Sequence, residues 1–288
     1  MSFCCAILTS IKNAAKALRR LQKGQKGKIS MAKTIIVGDI HGCLKEFQAL
    51  LPLTGLDEQE DTLVILGDII DRGPDSYGVL RKILRLKAKM GGRLHCIMGN
   101  HEDMAIKEIQ TNDRVHWNRN GGGKTRKSFF KHKDPFQRYV GYLEELPLYY
   151  ETDAFLCVHA GAAEEGPKAT DRHTFLWDRE IAGGRPYGGK LLIFGHTSAD
   201  QAVYRDEKGR PAQILKGDHP LPKKGSICLD TGCVYGGCLS AMVIEKGTFH
   251  ICSQEAAKKE PISHQPPEKY KTSSKNLKFL DFPRLFPC

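Results

Sequence analysis

Residues 34–41, TIIVGDIH, and residues 63–68, LVILGD, decide the fold, because each is an apolar run that ends in Gly-Asp. Three further runs also end in a polar residue: HCIM before Gly-Asn (95–100), FLCV before His (155–159) and LLIF before Gly-His (191–196). Four β-prone residues bounded by a turn residue are typical of a buried strand. The pattern therefore predicts five short strands, each followed at once by a polar side chain.

The segments between the early strands have helical periodicity. LKEFQALLPL (44–53) follows the first strand, and YGVLRKILRLKAK (77–89) follows the second, with one apolar face formed by Val79, Leu80, Ile83 and Leu84. Strand–helix–strand alternation predicts an α/β sheet with right-handed crossovers. Two later alternating runs, 227–230 and 239–245, are predicted to be antiparallel strands that complete a second sheet. The predicted fold class is α/β with mixed α+β character, a sandwich of two mixed sheets flanked by helices.

The polar residues after the strands are candidate metal ligands, because binding sites of α/β sheets lie beyond the carboxyl ends of the strands. The candidates are Asp39, His41, Asp68, Asn100, His159 and His196. Oxygen and imidazole ligands without a thiolate suit Mn, Fe, Zn or Mg. Six ligands are too many for one catalytic ion with open positions, but they suit two ions about 3.5–4 Å apart that share a carboxylate. The sequence therefore predicts a dinuclear centre at one sheet edge, with Asp68 as the bridge.

Three neighbours of these ligands complete a phosphate-ester mechanism. Arg72, in GDIIDRG, can fork two hydrogen bonds onto phosphate oxygens. His101, in GNHE, lies beside Asn100 and can protonate a departing alkoxide. Asp71 can fix the tautomer of His101. These residues predict hydrolysis of a phosphate ester.

Three motifs carry a family resemblance. GDIHGC (38–43), GDIIDRG (67–73) and GNHE (99–102), in this order and spacing, resemble the phosphoprotein phosphatase family of metallophosphoesterases, and most closely its phage-lambda and bacterial branch. The resemblance covers residues 34–245 and continues through VHWNRNGGG (115–123), LCVHAG (156–161), FLWDRE (175–180), IFGHT (193–197) and LDTGCVYGG (229–237).

The resemblance implies a role for each matching residue. Asp39 and His41 would bind the first metal, Asp68 would bridge, and the second metal would be bound by Asn100, His159 and His196. Arg72 and Arg179 would hold the phosphate with help from Asn100, and His101, oriented by Asp71, would be the general acid. The implied reaction is a single in-line attack by a metal-bound hydroxide. The implied cofactors are two divalent ions, Mn²⁺ in the first place, and the implied substrate is a protein phosphorylated on serine or threonine.

Other functions stay open from the sequence. Symmetrical dinucleoside polyphosphate hydrolases and small-molecule phosphatases share closely related motifs, but Glu102 and Asp71 favour the protein-phosphatase branch. A non-catalytic binding scaffold is disfavoured because His101, Arg72 and Arg179 are all present. GGGKT (121–125) is not a nucleotide-binding P-loop, since that motif needs glycine where Asn118 stands. Residues 120–123 are predicted to be a mobile loop near the site mouth.

Composition sets the remaining expectations. The net charge of +11 is concentrated at the ends of the chain, since residues 1–30 contain seven Lys or Arg and no acid, while residues 31–252 are nearly neutral. We therefore predict a basic extension (1–30) with a helix-like stretch at 7–21, a catalytic domain (31–252) without a nucleic-acid surface, and a polar tail (253–288). No apolar run reaches the roughly 18 residues of a membrane span. Ten scattered cysteines without a C-x-x-C pair indicate reduced thiols and a cytoplasmic protein.

Overall fold

The computed structural model describes residues 32–112, 114–214 and 216–257. The helix-like stretch at 7–21 and most of the predicted tail lie outside these residues. The last strand ends at Glu255, so the folded chain continues beyond the domain boundary predicted at residue 252.

The strands, numbered in chain order, are short except for the last two. They are β1 (Thr34–Val37), β2 (Thr62–Ile65), β3 (Leu94–Cys96), β4 (Tyr149–Glu151), β5 (Phe155–Val158), β6 (Leu191–Phe194), β7 (Val203–Arg205), β8 (Pro211–Gln213), β9 (His219–Pro220), β10 (Ser226–Cys228), β11 (Cys238–Glu245) and β12 (Thr248–Glu255).

The α-helices lie between strands or cover them. They are α1 (Leu44–Leu53), α2 (Ser76–Met90), α3 (Asn100–Thr111), α4 (Arg114–Arg119), α5 (Gly122–Lys131), α6 (Val140–Glu144), α7 (Arg172–Trp177) and α8 (Glu180–Gly183). Short 3₁₀ turns occur at Gly91–Arg93, Phe136–Tyr139, Pro167–Ala169 and Cys233–Tyr235. Within the described residues, no helix is long and apolar enough to cross a bilayer.

The strands form two mixed six-stranded sheets, which confirms the predicted fold class. The first has the order β3-β2-β1-β11-β12-β9 and the second β4-β5-β6-β10-β7-β8. In the first sheet β1, β2 and β3 are parallel, and in the second β5, β6 and β10 are parallel. The loops after the parallel strands of each sheet therefore leave at a common edge.

Alternate strand residues pack into two different layers of the core. Ile36 and Val64 lie in one apolar cluster with Ile193 and Ile227, which belong to the other sheet, so this cluster fills the space between the sheets. Ile35 and Val37, one residue away on the same strand, lie in the cluster that contains helix residues. Strands buried on both faces need continuous apolar runs, which is why TIIV and LVIL show no polar alternation.

The predicted apolar face of α2 is confirmed, because Val79, Leu80 and Ile83 are buried and Leu84 is half-buried against the same core. Two details of the predicted fold are wrong. Segments 227–230 and 239–245 do not share a second sheet: β10 pairs with β6 and β7, whereas β11 pairs with β1 and β12. Residues 120–123 are not all loop, because α5 begins at Gly122. Since strand pairing is a long-range choice, local periodicity does not determine which sheet β10 or β11 joins.

Candidate metal centre

The six predicted ligands converge, although not at a single sheet edge. Asp39, Asp68 and Asn100 follow the parallel strands of the first sheet, whereas His159 and His196 follow β5 and β6 of the second. All six side chains are buried. The site therefore lies where the carboxyl ends of strands from both sheets meet, which corrects the prediction of one edge.

One group of acceptor atoms surrounds a common position near Asp68. His159 Nδ1 donates to the Leu66 carbonyl at 2.8 Å, which leaves the lone pair of its Nε2 facing the site. That Nε2 is 2.9 Å from Asn100 Oδ1, 3.2 Å from His196 Nδ1 and 3.5 Å from Asp68 Oδ1. In the His196 tautomer that leaves Nδ1 unprotonated, all four atoms are acceptors, and they repel one another unless a cation lies among them.

The Asn100 amide could also be rotated, which would direct its NH₂ group at His159, His196 and Asp68. Two N–H bonds would then serve acceptors from three residues, so some lone pairs would stay unpaired. A divalent cation satisfies the whole set with the carboxamide oxygen facing inward. The donor chemistry of this group therefore fits a metal ion.

A second group of acceptors lies on the other side of the Asp68 carboxylate. His41 Nδ1 donates to the Ile70 carbonyl at 2.8 Å, so its Nε2 lone pair faces Asp68 Oδ2 at 3.3 Å. Arg72 Nη1 also lies 2.6 Å from this Nε2. One lone pair cannot bind both a guanidinium and a metal ion. Metal binding by His41 therefore requires the guanidinium of Arg72 to turn away from the imidazole. The guanidinium is then free to bind an anion.

Asp39 follows a strand of the first sheet but contacts His196, which follows the second sheet, and it interacts electrostatically with Asp230 and Asp68. Its oxygens accept from the backbone N–H of His196 at 3.0 and 3.2 Å. Burial, together with the charges of Asp230 and Asp68, raises the pKa of Asp39 well above its usual value. Several buried carboxylates in mutual repulsion are the setting in which a divalent cation is stabilising.

His159 and His196 are electrostatically suited to be ligands, whereas Asp68 outweighs burial and raises the pKa of His41. Burial opposes ionisation of the Asp68 carboxyl group. The nearby imidazoles of His159, His101 and His41 nevertheless hold the pKa of Asp68 well below the usual range. Burial lowers the pKa of His159, and burial with the neighbouring His159 lowers the pKa of His196 to about 3. Asp68 is thus anionic and these two imidazoles neutral at physiological pH, which are the forms that bind metals.

His101 and Asp71 form a fully buried pair beside this cluster. His101 Nδ1 donates to Asp71 Oδ2 at 2.7 Å, and this carboxylate also accepts from Trp117 Nε1 and Thr125 Oγ1, both at 2.6 Å. Because Asp71 accepts from several donors, the Nδ1 proton of His101 is fixed. Its Nε2, 3.9 Å from Asp68 Oδ2, has no hydrogen-bond partner in the part of the chain that the structure describes. This nitrogen is positioned to hold a proton toward the site.

Glu102 connects the turns that carry Asp68 and Asn100. Its Oε2 accepts from the backbone N–H groups of Asp68 and Gly99, both at 2.9 Å. Its Oε1 accepts from Ile69 and Ile70 at 3.0 and 3.3 Å. Sequence reasoning used Glu102 only to distinguish enzyme branches, whereas the structure makes it the positioning group for the site.

Replacing Glu102 with Gln should lower the free energy of unfolding by about 2–4 kcal/mol, because the amide NH₂ cannot accept from two of these buried N–H donors. Chemical denaturation of the metal-free protein measures the change. Glu144→Gln, at an exposed position on α6, is the matched control and should change stability by less than about 0.5 kcal/mol. Equal stabilities of the two variants would contradict the role of Glu102.

The backbone at the site is strained in a way that the glycines around it permit. Of the eight non-glycine residues with positive φ in the described chain, five are site residues: His41, Asp68, Asp71, Arg72 and His196. Such strain concentrates at functional sites. A Cβ on Gly99 or Gly195 would collide with the carboxylate of Asp68 or Asp39, respectively. The glycines before Asn100 and His196 therefore leave room for a candidate ligand that follows another strand.

Arg179 lies at the periphery of the site. Its exposed guanidinium donates to Thr197 Oγ1 at 3.3 Å, next to His196. Tyr235, 63% exposed, lies on the other side, with its ring centroid 5.7 Å from Arg72 Cζ. A Cβ on Gly121 would lie 2.9 Å from the backbone nitrogen of Arg72, so the 120–123 segment borders the site.

Sequence reasoning missed Asp230, Trp117 and Thr125. Asp230 had a detectable signal, since it follows the apolar run of β10 as the other acidic candidates follow theirs. Trp117 and Thr125 had none, because their contacts with Asp71 join residues 46 and 54 positions apart.

Comparison with known proteins agrees with this geometry. The family model described as calcineurin-like phosphoesterase matches residues 32–237. The chain is similar to "Serine/threonine-protein phosphatase 1" of Salmonella typhimurium strain LT2, with 29% identity over 224 residues that cover 73% of this chain and 91% of the relative.

Relatives with another name are about as similar. "Bis(5'-nucleosyl)-tetraphosphatase, symmetrical" of Pseudomonas fluorescens strain SBW25 is 24% identical over 278 residues, covering 77% of this chain and 95% of the relative. A crystal structure of a putative diadenosine tetraphosphatase superposes with a TM-score of 0.56 at 25% identity, covering 80% of this chain and 96% of that one.

Proposed function

We propose that this chain, which belongs to the family of calcineurin-like metallophosphoesterases, is a serine/threonine protein phosphatase. Membership confirms the resemblance to the phosphoprotein phosphatases, and with it a metal-dependent phosphoesterase activity. The Salmonella typhimurium relative supports the finer assignment by its name. The free thiols of the seven cysteines in the described residues support a cytoplasmic location.

We assign the metal ligands from the family resemblance, supported by the two groups of donor atoms that meet at Asp68, one with His41 and His101 and the other with His159 and His196. Asp39 and His41 would hold one divalent ion, Asn100, His159 and His196 the other, and Asp68 would be shared. These nitrogen and oxygen ligands accept Mn²⁺, the preferred assignment, as well as Fe, Zn or Mg. Two such ions supply Lewis acidity, which activates water and offsets charge on the phosphate.

The protein's own groups then act on the substrate. Arg72 lies beside His41, and its guanidinium can hold two phosphate oxygens once it leaves the imidazole. Arg179 reaches from the opposite rim, and Asn100 can contribute its amide. Held between these groups, the phosphate is fixed for an in-line displacement.

The buried Asp71–His101 pair is the observation that favours a protein substrate. A serine or threonine alkoxide is a strongly basic leaving group, so it departs well only when it receives a proton. Asp71 fixes the proton on Nδ1 and stabilises the charged imidazole, and His101 Nε2 can then deliver the second proton to the departing oxygen. A nucleotide phosphate, in contrast, leaves as a stable anion with much less need for an acid.

A symmetrical dinucleoside polyphosphate hydrolase is the second candidate. The Pseudomonas fluorescens relative favours it by its name, and the exposed ring of Tyr235 beside Arg72 offers a surface on which an adenine could stack.

Parallel assays of the Mn²⁺-loaded protein on a phosphoserine peptide and on diadenosine tetraphosphate distinguish the candidates. We expect a higher kcat/KM for the peptide, because His101 can protonate the departing serine alkoxide. The dinucleotide gains much less from this general acid. Hydrolysis of the dinucleotide alone would overturn the protein-phosphatase assignment. Inactivity toward p-nitrophenyl phosphate with every metal tested would instead indicate a non-catalytic scaffold.

A further inference from the structure

A second cluster of metal-ligating side chains lies beside the catalytic centre and contains thiols. Cys43 precedes α1, Glu46 is in the first turn of α1, and Cys233 begins the 3₁₀ turn Cys233–Tyr235. One donor atom from each residue lies within 4.8 Å of the other two. The groups His41–Asp68–His101 and Asp68–His159–His196 of the catalytic centre satisfy the same distance limit.

From this geometry we propose that Cys43, Glu46 and Cys233 bind a thiophilic divalent cation such as Zn²⁺. Two thiolates and a carboxylate are a ligand set that Zn²⁺ accepts in proteins, with Zn–S distances of about 2.3 Å. The three donor atoms lie within 4.8 Å of one another, so a cation placed among them could be approached by all three side chains. Three protein ligands leave a fourth position for water or another group.

The surroundings of the cluster support binding rather than simple packing. Cys43 and Cys233 are 5% and 4% exposed, which shields a bound ion from competing water. Glu46 uses Oε1 to accept from the backbone N–H of Ala257 at 2.9 Å, and its other oxygen remains available. Two thiols that only pack against each other do not need a carboxylate beside them. A bound cation, in contrast, is stabilised by the negative charge of Glu46.

The two centres differ in their preference for soft metal ions because their ligands differ. The catalytic set has only nitrogen and oxygen atoms, which suit Mn²⁺ or Mg²⁺, whereas thiolates favour softer ions. Cys43 lies two residues after His41, and Cys233 is in the 3₁₀ turn that contains Tyr235. A cation bound by both cysteines would therefore link the turn after His41 to the turn of Tyr235.

Cd²⁺ titration of the Mn²⁺-loaded, fully reduced protein tests the proposal. A thiolate–Cd²⁺ charge-transfer band in the ultraviolet reports only on a cysteine site, because no thiolate belongs to the catalytic set. We expect the band to saturate at one equivalent of Cd²⁺ per chain. No band at stoichiometric Cd²⁺ would overturn the proposal.

Three variants localise the signal. Cys233→Ser should lose the band, whereas Cys252→Ser, a half-buried thiol on β12 whose Sγ contacts the Leu53 carbonyl, should retain it. Glu46→Gln keeps an acceptor for Ala257 but lacks the charge, so it should retain the band and bind Cd²⁺ more weakly. Full signal in Cys233→Ser would contradict the site, as would wild-type affinity in Glu46→Gln. Hydrolysis of p-nitrophenyl phosphate by each variant verifies that it is folded.

Discussion

Replacing His101 with Asn should slow hydrolysis of a phosphoserine peptide by about 10²–10⁴-fold. The same change should slow hydrolysis of p-nitrophenyl phosphate far less, because an aryl oxide departs without prior protonation. The difference follows from the fixed Nδ1 proton, which leaves Nε2 as the atom that can donate to the leaving group. Steady-state kcat on both substrates measures it.

The control for this experiment is His250→Asn. His250 lies on β12 and contacts the exposed Asp218, away from the predicted ligands, so its replacement should leave both rates unchanged. Equal losses on the alkyl and aryl substrates in His101→Asn would contradict acid catalysis and would point to a structural or metal-binding role for His101.

Replacing Asp68 with Asn should remove most of the affinity for both metal ions. One oxygen of the carboxylate lies 3.3 Å from His41 Nε2 and the other 3.5 Å from His159 Nε2, so its charge serves both groups of acceptors. Each ion then loses an anionic ligand, and we expect the metal affinity to fall by more than about 100-fold, since even ligand-orienting partners contribute 10–100-fold. Elemental analysis after gel filtration measures the retained metal.

Asp103→Asn is the matched control, since Asp103 is a buried acid on the same helix as Asn100 but pairs with Arg172 and Lys107. This variant should keep two ions per chain. An Asp68→Asn protein that also retained two tightly bound ions would refute the shared carboxylate.

The strands and the polar residues that follow them were predictable because their signals are local. Four apolar residues followed by glycine and a polar side chain specify both a buried strand and the group at its end, as in TIIV before Gly38-Asp39. The pairing of β10 and β11 was not predictable, because each run is equally apolar whichever sheet it joins.

The start of α5 shows a second limit. Glycine disfavours helices, so 120–123 looked like a loop. A Cβ on Gly122, however, would lie only 2.6 Å from the Trp117 ring, and Trp117 in turn donates to Asp71. The glycine is thus required by packing beneath the site, a tertiary cause that no local pattern contains.

Anomalous diffraction from crystals grown with Mn²⁺ tests the central claim most directly. If five chain segments hold two ions, the map should contain two peaks that share Asp68. One should lie beside Asp39 and His41, and the other beside Asn100, His159 and His196. A map with no peak against Asp68, from protein active with Mn²⁺, would contradict the account.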